Sequence, residues 1–265
     1  MSARELTSPS AASEVLAGGE SPPASASEAH AGFDSPPPTA SDVLVSDVIA
    51  SSAPAKDGFR IAVFASGSGS NFQAIVDAAA AGRLDAQVVL LVCDKPDAPV
   101  IRRAEQAQVP TFVFRPKDYP GREAYEAEIV AKLQALGVDL VVLAGYMRLV
   151  TQTLLAPYAG RIINIHPSLL PSFPGVNSVG QALAYGVKVT GVTVHYVDSG
   201  LDSGPIILQQ PVEVLDGDSE ESLSGRIHAL EHELYLQAIR LIRENKLEVD
   251  GRVVRLRSAT GPLTS

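Results

Sequence analysis

Short runs of uninterrupted apolar residues alternate with stretches of helical spacing through the first half of the ordered sequence, and this alternation limits the possible folds most. The runs lie at 60–64, 87–93, 111–114, 139–144 and 161–165. A strand that is apolar throughout needs cover on both faces, which a parallel sheet obtains from its crossover helices. The intervening segments suit that role. Residues 71–81 read as a helix closed by Gly82, 99–108 as a second, 121–136 as a third with Tyr125, Ile129 and Leu133 on one face, and 152–157 as a short fourth. The expected fold class is α/β, a doubly wound and mostly parallel sheet. After Ser178 the pattern changes. A helix at 179–185 precedes two long strands, 188–197 and 205–214, whose connection is too short for a crossover helix, so they are expected to be antiparallel. A long helix at 220–245 and a small hairpin at 247–256 around Asp250-Gly251 complete the expected elements.

Residues 1–57 have a different texture. They are rich in Ser, Ala, Pro and Glu, hold one aromatic, Phe33, and carry two basic groups against eight acidic ones, a balance of −6. Such a segment buries too little apolar surface to offset its ordering entropy, so it is expected to be a disordered acidic tail. Residues 58–257 are expected to form a single domain and 258–265 a flexible C-terminal tail. Of the net charge of −9, only −3 falls outside the first 57 residues. The net charge of −9 argues against general nucleic-acid binding but leaves room for a local anion pocket. No run of eighteen apolar residues points to a membrane span. The one cysteine, Cys93, sits in an apolar run and reads as a buried strand residue; it permits no internal disulfide and no cysteine metal cluster, which fits a reducing compartment. The first segment lacks the features of a signal or transit peptide, so a cytoplasmic location is expected.

Two motifs carry candidate chemistry. In FASGSGSNFQ the residues Gly67, Gly69, Ser70 and Asn71 stand where the first helix begins. Successive backbone N–H groups there can cradle an anion, aided by the helix dipole. The loop is neither a G-x-G-x-x-G fingerprint, since Phe72 takes the third glycine place, nor a Walker loop with its lysine. A tight turn without a ligand reads equally well locally; its place in the first βα turn, at the ligand-binding side of parallel sheets, favours a phosphate site. The second motif, NIHPSLLPSFPG, follows a buried strand. Alternation puts Asn164 and His166 on one face at the carboxyl end of the sheet. An amide beside an imidazole suits a reaction that develops negative charge on a carbonyl oxygen. Asp202, in VDSGLDSGP, is the candidate partner of His166, where a carboxylate would favour the imidazolium as proton donor; Asp198 competes for that role, and either aspartate could serve only its turn.

Together these motifs resemble phosphoribosylglycinamide formyltransferases, the folate-dependent enzymes of purine biosynthesis. The resemblance runs from about Arg60 through the last long helix, in SGSGSNFQA, VVLAGYMRLV, NIHPSLLPSFPG, TGVTVHYVDSGLDSGPIIL and the helix carrying Leu230-Glu231-His232. It implies a formyltransferase-like fold, and transfer of a formyl group from 10-formyltetrahydrofolate to glycinamide ribonucleotide without a metal. It implies that Gly69, Ser70 and Asn71 hold the substrate phosphate, with His228 facing it and Glu231 on the ribose hydroxyls. Arg122, Met147, Arg148, Leu149, Val150 and Asn164 would contact the folate. His166 would be the proton donor and Asp202 its carboxylate partner, with Asn164 beside the formyl group. Met147 as core and Arg122 or Glu231 as solvated helix charges are the plainer alternatives. His195, in TVHYVD, reads as packed behind the site, and His232 takes no catalytic role. Many members of the family carry a histidine shortly after the Pro-Gly, where this chain has Gly175-Val176-Asn177-Ser178. No nucleic-acid or membrane partner is expected, and the chain should act as a monomer or homodimer. Three rival readings remain: a formyltetrahydrofolate hydrolase, a methionyl-tRNA formyltransferase, which would need a basic tRNA-binding extension, and a non-catalytic nucleotide-binding module.

Overall fold

The computed structural model describes residues 58–257; the expectations for 1–57 and 258–265 lie outside that range. In chain order the elements are β1 (Arg60–Ala65), α1 (Ser70–Ala80), β2 (Gln87–Cys93), α2 (Val100–Gln106), β3 (Thr111–Val113), α3 (Arg122–Ala135), β4 (Leu140–Leu143), α4 (Gln152–Leu155) and β5 (Ile162–His166). They continue with α5 (Ser178–Tyr185), β6 (Val189–Tyr196), β7 (Ile206–Glu213), α6 (Glu220–Arg243), β8 (Leu247–Asp250) and β9 (Val253–Leu256). The strands form one sheet in the order β3-β2-β1-β4-β5-β6-β7-β9-β8. From β3 to β5 every pairing is parallel, whereas β5 with β6 and β6 with β7 are antiparallel. The mixed, mostly parallel α/β fold expected from the apolar runs is therefore present.

Both faces of the parallel half are dry. Ile61, Val63, Leu91, Leu140, Val142 and Ile163 pack on one side with the apolar stripes of α1 and α6, while Ala62, Phe64, Val92, Val141 and Ile162 pack on the other with Tyr125, Ile129 and Leu133 of α3. Tyr235 of α6 ties the centre of the sheet to the helix layer, its buried hydroxyl donating to the carbonyls of Leu143 (2.8 Å) and Ile163 (3.1 Å). The α6 N-terminus is held by a reciprocal pair. Ser219 Oγ accepts from the Ser222 N–H, and Ser222 Oγ accepts from the Ser219 N–H.

Differences from the expected boundaries are small and have local causes. α6 stops at Arg243 because Asn245 turns into the left-handed region at φ 52°. The terminal hairpin forms around Gly251 (φ 55°), with Asp250 opposite Val253, and it also extends the main sheet through the pairing of β9 with β7. In this topology the chain leaves β1 for β2 and β3 on one side, then returns for β4 and β5 on the other. The crevice between β1 and β4 is the switch point, where ligands bind in such sheets.

Candidate active site

A cleft of about 710 Å³ opens at the carboxyl ends of β1, β4 and β5 and is floored by α6. It gathers Gly69, Ser70 and Asn71, the segment Met147 to Val150, Asn164, His166, Asp202, His228 and Glu231. Twelve of the thirteen site residues expected from the sequence thus line one cavity. Arg122 is the exception. It stands exposed at the start of α3, outside the cleft lining, because the helix turns its first residue toward solvent.

The glycine loop reaches the cleft through Gly69. Its φ of 75° turns the chain from β1 into α1, and no side chain caps the helix, so its first-turn end is presented to the cavity. The loop is braced from α2: Val100 N–H donates to Gly67 O (3.2 Å) and Arg103 Nε to Ser68 O (2.8 Å). Within the first turn Asn71 is buried, its Nδ2 donating to Glu231 Oε2 at 2.9 Å, while its Oδ1 is buried without a partner. Glu231 interrupts the buried stripe Leu223, Ile227, Leu234, Ile239 of α6 and is itself 5% exposed. Burial raises its carboxyl above the usual range, against the opposing pull of the Asn71 amide and the His228 charge.

The Asn-x-His segment ends β5. His166 is buried, with Nε2 2.8 Å from the Phe173 carbonyl and Nδ1 3.5 Å from Asp202 Oδ2. Both ring nitrogens therefore lie close to an oxygen acceptor. Asp202, at φ 49°, also accepts the Gly175 N–H on Oδ2 at 2.7 Å, joining the proline loop to the loop after β6. Asp198 instead accepts from Gly200 N–H and Ser203 Oγ within its own turn, so Asp202 alone of the two reaches His166.

Asn164 directs its Nδ2 toward His195 Nε2 at 3.3 Å and Asp202 Oδ1 at 3.5 Å. His195 Nδ1 lies 2.7 Å from the Tyr196 carbonyl and must carry the proton there, which leaves Nε2 to accept from Asn164. Burial holds the His195 imidazole below its usual range, so the ring is neutral at pH 7. The proline loop is itself pinned to β6 and β7. Thr193 Oγ1 donates to Ser168 O, Leu170 N–H donates to Thr193 Oγ1, and Gln209 Nε2 donates to Leu170 O. The stretch without the family histidine lines the cleft mouth, with Val176 79% exposed and Asn177 in the left-handed region at the start of α5.

Met147 and Leu149 are 65% and 53% exposed, which excludes a core role and places apolar side chains on an open cleft wall. Two buried groups beneath this wall were not expected from the sequence: Ser66 and Asp94. Asp94 follows directly on an apolar strand, at the end of the sheet where ligand sites form, and that position was the available signal. Among the described residues no cluster of three or more His, Cys, Asp or Glu could hold a metal ion, and no helix is long and apolar enough to cross a membrane.

Comparison with known proteins identifies the family and the fold. Residues 59–239 match the family described as formyl transferase. The phosphoribosylglycinamide formyltransferase of Bacillus subtilis is 54% identical over 181 residues, spanning 68% of this chain and 93% of that protein. Its counterpart in Mycobacterium tuberculosis is 45% identical over 208 residues, spanning 78% and 94%. Among solved structures, glycinamide ribonucleotide transformylase 1 from Symbiobacterium toebii superposes with a TM-score of 0.74 at 50% identity, covering 76% of this chain and 95% of that one.

Proposed function

This chain belongs to the formyl transferase family, and from that premise we propose that it transfers the formyl group of 10-formyltetrahydrofolate to the amine of glycinamide ribonucleotide, a step of purine biosynthesis. The observation that carries the reading is the convergence of Asn164, His166 and Asp202 at one end of a cleft whose other end is an uncapped helix N-terminus. The residues present fit both ligands. The α1 terminus suits a phosphate, the Glu231 carboxylate lining the cleft suits ribose hydroxyls, and the exposed Met147 and Leu149 suit a flat aromatic ring.

Bound 10-formyltetrahydrofolate supplies a formyl carbon on N10, which the substrate amine attacks as N10 leaves. Asn164 would aim an amide N–H where negative charge gathers on the formyl oxygen. His166 would direct its Nε2 hydrogen bond, made to the Phe173 carbonyl in this structure, toward the same oxygen; N10 would take up one proton through water as it departs, and the attacking amine would give up one in return. Asp202 would keep the ring oriented through Nδ1. His195 would fix the Asn164 amide from behind.

In this reading residues 58–257 act as a single catalytic domain in the cytoplasm, as a monomer or homodimer, without a nucleic-acid or membrane partner. The test is an assay of formyl release from 10-formyltetrahydrofolate with glycinamide ribonucleotide, water alone or charged initiator tRNA as acceptor. Formylation of the ribonucleotide is expected. Equal release without it would instead identify a hydrolase, and transfer only to tRNA would identify the tRNA enzyme.

A further inference from the structure

The cleft wall formed by residues 145–150 has no regular secondary structure of its own, yet both its ends are fastened to buried carboxylates. At the first end, Asp94 has a fully buried side chain. Its Oδ1 accepts from Ser66 Oγ at 2.5 Å, and that same Oγ accepts the Met147 N–H at 3.0 Å. Its Oδ2 accepts from Arg148 Nε at 2.8 Å. Ser66 N–H donates to Gly145 O at 3.1 Å, so three consecutive links hold Gly145, Met147 and Arg148 to the ends of β1 and β2. At the second end, Glu126 of α3 is 2% exposed and accepts both the Thr151 N–H (2.9 Å) and the Thr151 hydroxyl (2.6 Å). Between these anchors Met147 and Leu149 stand open to the cleft.

A wall of this kind binds well only if its shape exists before the ligand arrives, because ordering it on binding would subtract from affinity. Resting on the function proposed above, we infer that Asp94, acting through Ser66 and Arg148, and Glu126, acting through Thr151, are positioning residues that hold the 145–150 wall in its folate-ready shape. Asp94 does more than fasten the backbone. By engaging only Nε of Arg148, it orients the guanidinium and leaves the two terminal amino groups for a ligand. Asp94 meets the glycine-loop segment only at Ser66, ahead of Gly67, and neither carboxylate bonds Gly69, Ser70, Asn71 or His166, so their effect should fall mainly on one substrate.

The experiment is steady-state kinetics on the full-length chain and on Asp94→Asn, Ser66→Ala and Glu126→Gln, varying each substrate in turn, with tetrahydrofolate binding measured by calorimetry. The expected result is a rise in KM for 10-formyltetrahydrofolate of about tenfold for Asp94→Asn, the factor that one lost hydrogen bond to a charged group corresponds to. Tetrahydrofolate binding should weaken in parallel, with kcat and the KM for glycinamide ribonucleotide within about twofold of the parent. Ser66→Ala keeps the Asp94–Arg148 pair and carries the test if Asp94→Asn does not melt cooperatively. An unchanged folate KM, or equal increases in both KM values, would overturn the inference. A parent chain with no transfer to the ribonucleotide would overturn the proposed function instead.

Discussion

Replacing Gly69 and Gly67 separately by alanine should separate two neighbouring glycines that look alike in the sequence. Gly69 has a φ of 75°, and a Cβ added there would lie 2.3 Å from Val100 Cγ2 and 2.6 Å from Val100 Cβ. Carbon atoms pack at about 3.5–4.0 Å, so the overlap is about 1 Å or more. Val100 cannot retreat, being fully buried at the first turn of α2 with its N–H on the Gly67 carbonyl. The left-handed backbone costs an alanine about 1–2 kcal/mol, and forcing extra volume into a packed site costs about 1–3 kcal/mol. Gly69→Ala should therefore lose about 2–5 kcal/mol of unfolding free energy. At Gly67 a Cβ meets nothing within 4 Å and the φ is not left-handed, so Gly67→Ala should stay within about 1 kcal/mol of the parent. Urea unfolding analysed by linear extrapolation reads both values. Equal losses at the two positions would refute the steric reasoning, as would a Gly69→Ala protein of parental stability.

The other expectations follow from single groups. Tyr235→Phe removes a hydroxyl that donates to two strand carbonyls in the core, and it should lower the unfolding free energy by about 1–2 kcal/mol; an unchanged urea midpoint would contradict this. His195 is held below its ordinary value of 6.5 by burial, so the unfolded chain takes up a proton that the native ring refuses. Its contribution to stability is complete above about pH 6.5 and is lost as the pH falls toward the folded value, and His195→Asn should flatten that slope in unfolding measured from about pH 5 to pH 7.5. Glu231 has the opposite sign, because burial raises it from 4.5: the native state holds its proton more tightly, and its contribution weakens as the pH rises above 4.5. Asp202→Asn should keep the Gly175 N–H contact but lose the negative charge beside His166, lowering kcat by about 10²-fold or more in the transfer assay.

Periodicity made the parallel half of the fold legible, because strands that are apolar throughout leave few other architectures. The antiparallel pairing of β6 with β7 was legible from the length of its connection. That β9 would join β7 was not, since a two-residue turn fixes a hairpin without saying what lies beside it. At the site, alternation correctly set Asn164 and His166 toward one cavity. The His166–Asp202 approach depends on a left-handed Asp202 and on the Gly175 N–H, neither of which spacing encodes. Glu231 as a solvated charge was the plainer reading of a helix carboxylate, but its place between Ile227 and Leu234 on the apolar stripe marks it as buried. Asp94 and Ser66 escaped notice because each links to residues far away in sequence, and a single-chain pattern carries no such pairing. Arg122 shows the converse: a family position matched in sequence stands outside the cleft lining in this structure.

The measurement that bears most directly on the central claim is His166→Ala in the glycinamide ribonucleotide assay, with folate binding measured on the same preparation. If the Asn164–His166–Asp202 group performs the transfer, kcat falls by about 10²–10⁴-fold, while tetrahydrofolate binding changes far less, because the 145–150 wall is anchored elsewhere. Turnover near that of the parent chain would contradict the account.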